Sequence, residues 1–334
     1  MKKLISYLRV EEWLSSKVTF MLGIFLFLAY LGNGETGDIA KNAVAFFLYV
    51  SMFLAVSYVA NDFSDLEIDR KAGKKKVIAG MPRWMIWASF ALMAAAGNAY
   101  VLIRARNKLL CAVLIAVTYF LGLAYSTLGI RFKERGLLGL IECSFAQRCM
   151  PLLMIACLEE VNGASMWLLL AWVILSFVDG LRYIIIHQVI DLENDIVTGV
   201  NTYVAEKRGN YRNALIAFFA GEAIAVAAIM IPLWIREPIV TGAIVAADAF
   251  LEYCIFMVIQ KYAGKDIFAT YDSVPLEGFL NMLFPALAAV CLATIHPAVG
   301  LSALLALIAF CAKPFIVKYK IAAIYVRPEA RRGR

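Results

Sequence analysis

Apolar residues along this chain gather into runs of about 20, each closed by a short polar break, instead of the alternation of strands or the narrow stripe of a soluble amphipathic helix. Ten runs can be drawn, at 10–32, 42–60, 84–103, 109–128, 137–158, 166–190, 213–235, 238–259, 276–296 and 297–317. A helix rising about 1.5 Å per residue needs about 20 residues to cross a hydrocarbon core of about 30 Å. Every run is long enough, so the expected fold is all-α: a polytopic transmembrane helical bundle of nine or ten spans. The count turns on the last two runs, because only His296 and Pro297 separate them and one of the pair is open to a re-entrant or interfacial reading.

Composition agrees with lipid as the solvent, since 63% of the residues are hydrophobic and 17% charged, more apolar surface than one soluble core of 334 residues can bury. No polar linker divides the chain, so residues 1–334 read as a single membrane domain with two longer polar loops, 61–83 and 191–212. The net charge of +7 points to nucleic acid only if the cations share a face, and their distribution gives another cause. With the N-terminus inside, 23 of the 32 Lys and Arg residues fall on the cytoplasmic side, five fall outside, and Lys17, Arg148, Arg182 and Lys313 lie within spans. That is the positive-inside pattern, and no nucleic-acid partner is expected. It predicts a multi-pass protein of a prokaryotic plasma membrane with both termini and both polar loops cytoplasmic. The first helix reads as uncleaved, the seven cysteines as reduced packing residues, and two histidines are too few for a zinc centre.

The first polar loop carries Asn61-Asp62-Phe63-Ser64-Asp65-Leu66-Glu67-Ile68-Asp69-Arg70. If the helix continues through it, Asp62, Asp65 and Asp69 share a face with Asn61 one turn from Asp65, and carboxylates stacked so closely need a cation among them. Oxygen ligands without His or Cys select a hard ion, and Mg²⁺ takes one or two carboxylates and completes its shell with water and substrate phosphates. The second loop carries Asp191-Leu192-Glu193-Asn194-Asp195, with Asp191 and Asp195 one turn apart and His187 one turn earlier. His187 either hydrogen-bonds a carboxylate or a metal-bound water, or caps the helix end through a backbone carbonyl. Two acidic clusters on one side, with Arg70, Lys74, Lys75, Lys76 and Lys207 as countercharge, suit a diphosphate leaving group.

The pattern NDxxDxxxD (Asn61, Asp62, Asp65, Asp69) together with DxxxD (Asp191, Asp195) resembles the UbiA superfamily of intramembrane aromatic prenyltransferases. Leu8-Arg9, Tyr125-Ser126, Gly199 and Thr202 extend the resemblance over about residues 8–212. It implies a helical bundle around a central cavity open to lipid, in which Asn61, Asp62, Asp65, Asp69, Asp191 and Asp195 bind Mg²⁺ and a polyprenyl diphosphate. Ionisation would give an allylic cation that a small aromatic acceptor attacks, with Arg70 and Lys76 on the diphosphate and Tyr125 and Ser126 near the reacting end. Arg182, His187 and Asn194 complete the expected substrate contacts. The chain departs from the family where Arg-Pro is common, at Lys76-Val77, and where Lys often follows the second DxxxD, at Ile196.

Other readings of the same residues stay open. Arg182 with Asp179, and Arg148 with Glu142 and Gln147, lie at membrane depth and must face a cavity or pair internally. Asp248, Glu222 and Glu252 fall under the same rule. Tyr125 also suits an interfacial anchor, and Lys74 to Lys76 a positive-inside anchor. At the level of function, phosphoribosyl transfer to a polyprenyl phosphate, a membrane terpene cyclase and a transporter compete with prenyl transfer.

Overall fold

A computed structural model describes residues 2–71, 73, 76–127, 129–161, 163–207, 211–258 and 277–326. Side chains are described for these except at positions 2, 68, 71, 194, 198, 251, 252, 255–258 and 314–326. Lys74 and Lys75 therefore lie outside the described residues, as do the side chains of Asn194 and Glu252.

Each apolar run becomes a helical segment: α1 (Val10–Leu31), α2 (Thr36–Ser64), α3 (Arg83–Arg104), α4 (Lys108–Ala124), α5 (Leu137–Leu158), α6 (Gly163–Thr198), α7 (Arg212–Arg236), α8 (Pro238–Val258), α9 (Phe279–Ile295) and α10 (Pro297–Val326). Six of them, α1, α2, α3, α5, α6 and α7, are long and apolar enough to cross a membrane, and α4, α8, α9 and α10 contribute shorter apolar stretches. No strand occurs among the described residues, as expected where every backbone polar group must be satisfied within its own helix. The last two runs form separate helices, with His296 ending α9 and Pro297 opening α10.

The N-terminal span is the innermost. In its apolar window 78% of the residues are buried, against 28% for α3 and α7, so α1 runs through the bundle while those two face outward. Around α1 the packing is aromatic: Trp172 of α6 meets Phe20 and Phe27 of α1 edge-on and Phe284 of α9 at 4.5 Å between ring centroids. Close approach of α9 depends on Gly23, where a Cβ would stand 2.8 Å from Pro285. Lipid gives helices no hydrophobic reason to associate, so such small-residue contacts and ring packing carry the association.

Among the described residues, three helices are interrupted by π-helical turns, at Leu14–Val18 in α1, Phe145–Cys149 in α5 and Phe279–Leu283 in α9. Two have an evident cause in the sequence. Pro151 and Pro285 lack an N–H and crowd the carbonyl four residues earlier, at Gln147 and Asn281, and the helix widens there. At Leu14–Val18 no proline is present. The widened turn of α5 lies against Gly180 of α6, where any Cβ would collide with Ser144 Oγ.

The helix through the first acidic motif is not continuous. α2 ends at Ser64, Asp65 has φ −99° and ψ 4°, and a separate short helix resumes at Leu66–Lys71. The break corrects the expectation of one face carrying Asp62, Asp65 and Asp69. A residue in this bridge conformation redirects the chain, and Asp65 pairs with Lys133 and Arg131 while Asp62 and Asp69 both meet Lys76.

Candidate active site

The motif ends of α2 and α6 open onto one cavity of about 910 Å³. Asn61, Asp65 and Asp69 line it from the first motif, and His187, Asp191 and Asp195 from the second. Arg9, Arg131 and Lys133 add positive charge, and Tyr58, Tyr125, Tyr183 and Phe310 supply aromatic wall. All three π-helical turns border the same space, through Lys17, Gln147 and Asn281 among others.

Every carboxylate of the first motif meets a cation, and Asp62 and Asp69 share one. Asp62 is buried and sits outside the cavity wall, accepting hydrogen bonds from Arg9 Nη1 at 3.0 Å and Lys76 Nζ at 2.7 Å. Lys76 also stands 3.6 Å from Asp69. Asp65 is paired with Lys133 and lies 3.4 Å from Arg131. Asn61 Oδ1 accepts from the buried Ser126 hydroxyl at 2.5 Å, which fixes the amide toward the cavity.

Arg131 and Lys133 were not singled out in the sequence. They lie in the segment joining α4 to α5, where Arg131 takes the left-handed conformation (φ 46°) and the Lys133 N–H bonds the Tyr125 carbonyl. That backward fold points both cations at a carboxylate more than 60 residues away in sequence. Strain of this kind persists only where the surroundings hold it, and here Glu134 pairs with Arg131. Burial pushes the Lys133 ammonium below the usual lysine range, partly offset by Asp65. For Arg9, burial works against the charge, but bonds to Glu12 and attraction to Asp62 outweigh it and raise its pKa. The signal that finds Arg131 and Lys133 is sidedness: their segment falls on the motif side in the positive-inside count.

The second motif stays helical to Thr198, so Asp191 and Asp195 remain one turn apart, and His187 Nδ1 lies 3.3 Å from Asp191 Oδ2. Gly199, at φ 71°, turns the chain back, and the Thr202 hydroxyl donates to Asp195 at 3.1 Å. Gln188, buried beside His187, accepts from the Val204 N–H. The returning segment bridges to Gly136, whose N–H bonds the Asn201 carbonyl, and so ties the second motif to the segment bearing Lys133.

Four expected substrate contacts are not part of the cavity wall: Lys76 and Ser126, which bond Asp62 and Asn61, and Arg70 and Arg182. Arg70 is exposed and is not part of the cavity wall. Arg182 is 2% exposed and held by Glu222 through Nε and Nη2 at 2.7–2.8 Å, with Asp179 at 3.5 Å. Arg148 closes this buried group by pairing with the other Asp179 oxygen at 3.2 Å. Of the two readings at membrane depth, internal pairing describes Arg182.

Among the described residues, no three carboxylate, imidazole or thiol groups stand close enough to form a metal shell alone. The donor chemistry nevertheless fits Mg²⁺, which needs only one or two carboxylates when phosphate oxygens and water fill its other positions.

The model of the UbiA prenyltransferase family matches residues 18–283. The chain belongs to this family. It is accordingly a multi-pass membrane protein of prenyltransferase type. No curated protein matches it. Among solved structures, it is similar to a UbiA homolog from Archaeoglobus fulgidus bound to GPP and Mg²⁺, with 17% identity, TM-score 0.59, and coverage of 90% of this chain and 99% of that one. The same homolog bound to DMAPP and Mg²⁺ gives 16%, 0.59, 87% and 99%. The apo UbiA homolog from Aeropyrum pernix K1 gives 17%, 0.55, 83% and 97%. These likenesses carry the fold.

Proposed function

We propose that this protein transfers an isoprenoid group from a polyprenyl diphosphate to a small aromatic acceptor inside the membrane, with Mg²⁺ as cofactor. The observation that carries the reading is the meeting of both acidic motifs with Arg9, Arg131 and Lys133 around one cavity sunk among apolar helices. Its volume of about 910 Å³ suits a prenyl diphosphate and a small second substrate.

Asp65 and Asp69 on one side and Asp191 and Asp195 on the other would hold Mg²⁺, with Asn61 and Asp62 behind them. Bound Mg²⁺ would neutralise charge building on the leaving diphosphate. Lys133 and Arg131 exchange Asp65 for phosphate oxygens, while Arg9 and Lys76, oriented by Asp62, close the motif side. Ser126 fixes Asn61, His187 orients Asp191, and Arg70 and Asn194 remain candidates for guiding the diphosphate inward. As the allylic carbon–oxygen bond breaks, pyrophosphate leaves and positive charge spreads over the allyl group. The faces of Tyr58, Tyr125 and Tyr183 stabilise that charge. The acceptor ring then forms the new carbon–carbon bond and loses a proton. On this reading both motifs and both termini face the cytoplasm, which the distribution of Lys and Arg along the chain supports.

The purified full chain in lipid nanodiscs, given labelled geranyl diphosphate and a panel of aromatic acceptors, should release pyrophosphate only with Mg²⁺ and form a lipid-soluble adduct. Release from phosphoribosyl diphosphate with a polyprenyl phosphate, and none from the allylic donor, would move the chemistry to the competing transferase class.

A further inference from the structure

Two of the seven cysteines, all of which the sequence alone reads as reduced packing residues, come together at the end of the bundle away from the acidic motifs. Cys111 lies in the first turn of α4, and Cys157 is the last residue but one of α5. The Arg106 N–H, just ahead of α4, donates to the Cys157 carbonyl at 2.8 Å and joins the two helix ends. The Cys111 thiol donates to the Met154 thioether at 3.5 Å, and the Cys111 and Cys157 thiols stand within hydrogen-bonding reach of each other. All three side chains are fully buried, and the structure holds the pair as free thiols side by side. Cys149 and Cys311, by contrast, turn to the backbone carbonyls of Val173 and Asn281.

Position decides what such a pair can do. From Cys111 to Tyr125, which lines the cavity, α4 and its cap rise roughly 20 Å at 1.5 Å per residue. The thiols therefore sit near the membrane face opposite the motifs, the face that the distribution of Lys and Arg makes extracytoplasmic. Thiols on that side of a plasma membrane meet an oxidising environment, in which disulfides form and persist. The segment between the two cysteines carries Arg131 and Lys133, which pair with Asp65. A bond from Cys111 to Cys157 would close α4, α5 and this cation-bearing connection into one covalent loop.

We propose that Cys111 and Cys157 are joined by a disulfide in the mature protein. The oxidant is the disulfide of an extracytoplasmic thiol oxidase: the thiolate of one cysteine attacks it to give a mixed disulfide, and the other cysteine displaces the oxidase sulfur. The two thiols of this chain give up two protons and two electrons. One S–S bond forms here and one breaks in the oxidase, which leaves as a dithiol. Exchange precedes the packing of α4 against α5, after which the pair is closed off from solvent. The proposal takes its membrane side from the orientation given under the proposed function, while the bond itself is testable without it.

Thiol counting on the full chain tests it. Cells producing the protein are quenched in acid, the chain is denatured with excess N-ethylmaleimide, and the labels are counted by intact mass. The native chain should take five labels, two short of its seven cysteines, and all seven after reduction, with peptide mapping finding Cys111 joined to Cys157. Cys111→Ser should take six labels with or without reduction. Cys111→Ser, Cys157→Ser and the double variant should share one lowered unfolding temperature, because either change breaks the same bond. Seven labels without reduction, a bond between other cysteines, or thermal losses that add in the double variant would each overturn the proposal. Asn33→Cys, in the exposed loop between α1 and α2, should react with a membrane-impermeant maleimide from outside the cell. No reaction there, with the Cys111–Cys157 bond intact, would instead defeat the orientation and leave the disulfide standing.

Discussion

Replacing Asp191 by alanine should lower Mg²⁺-dependent pyrophosphate release from geranyl diphosphate by about 10²–10³-fold, the range for removing one preorganised group facing developing charge. Asp65→Ala should do the same from the opposite wall, because the two carboxylates line one cavity from different chain segments. The folds should survive: Asp191 is part-exposed and lies 3.3 Å from His187 Nδ1, and Asp65 sits at a helix break with cations that can turn to water. Turnover at several metal concentrations, beside unfolding temperature, checks the point. Near-native release in either variant, at a metal level that saturates the native protein, would remove that residue from the proposed metal set.

Arg182→Met should destabilise the protein by about 3–5 kcal/mol, the cost of stripping one partner from a buried ion pair. Glu222 is fully buried and takes three contacts from the Arg182 guanidinium, so the variant leaves a carboxylate in an apolar interior. Combining Arg182→Met with Glu222→Leu should restore most of the loss, since Arg148 and Asp179 remain to balance each other. Thermal unfolding of the single and double variants decides it. If the single variant unfolds like the native protein but loses turnover, Arg182 serves substrate and not the bundle.

The helices were legible because lipid imposes one rule on every span: the runs around Phe20–Leu28, Phe46–Val56 and Leu287–Ile295 must be long, apolar and helical. The acidic motifs were legible for a similar reason, because Asp191 and Asp195 on an unbroken helix keep the spacing that the sequence implies. Spacing misled where the backbone left the helix. Asp65 caps α2, and beyond that break Asp65 and Asp69 face the cavity while Asp62, still on α2, is buried against Arg9 and Lys76.

Pairings between distant segments were out of reach of spacing altogether. Lys133 meets Asp65 only because Arg131 adopts a left-handed backbone conformation, which nothing in that residue's chemistry favours. Lys17 could be counted as a cation within a span, yet its contacts with Gln147 and Tyr58 become visible only when α1, α2 and α5 are packed. Pro151 and Pro285 did foreshadow the widened turns of α5 and α9, a signal present in the sequence and not used there.

A crystal structure of the full chain with Mn²⁺ and geranyl thiodiphosphate tests the central claim most directly, since manganese reports its own position by anomalous scattering. The account predicts metal and diphosphate between Asp65 and Asp69 on one wall and Asp191 and Asp195 on the other, with Lys133 released from Asp65. Metal and diphosphate held by one motif alone, with the other motif facing empty cavity, would contradict it.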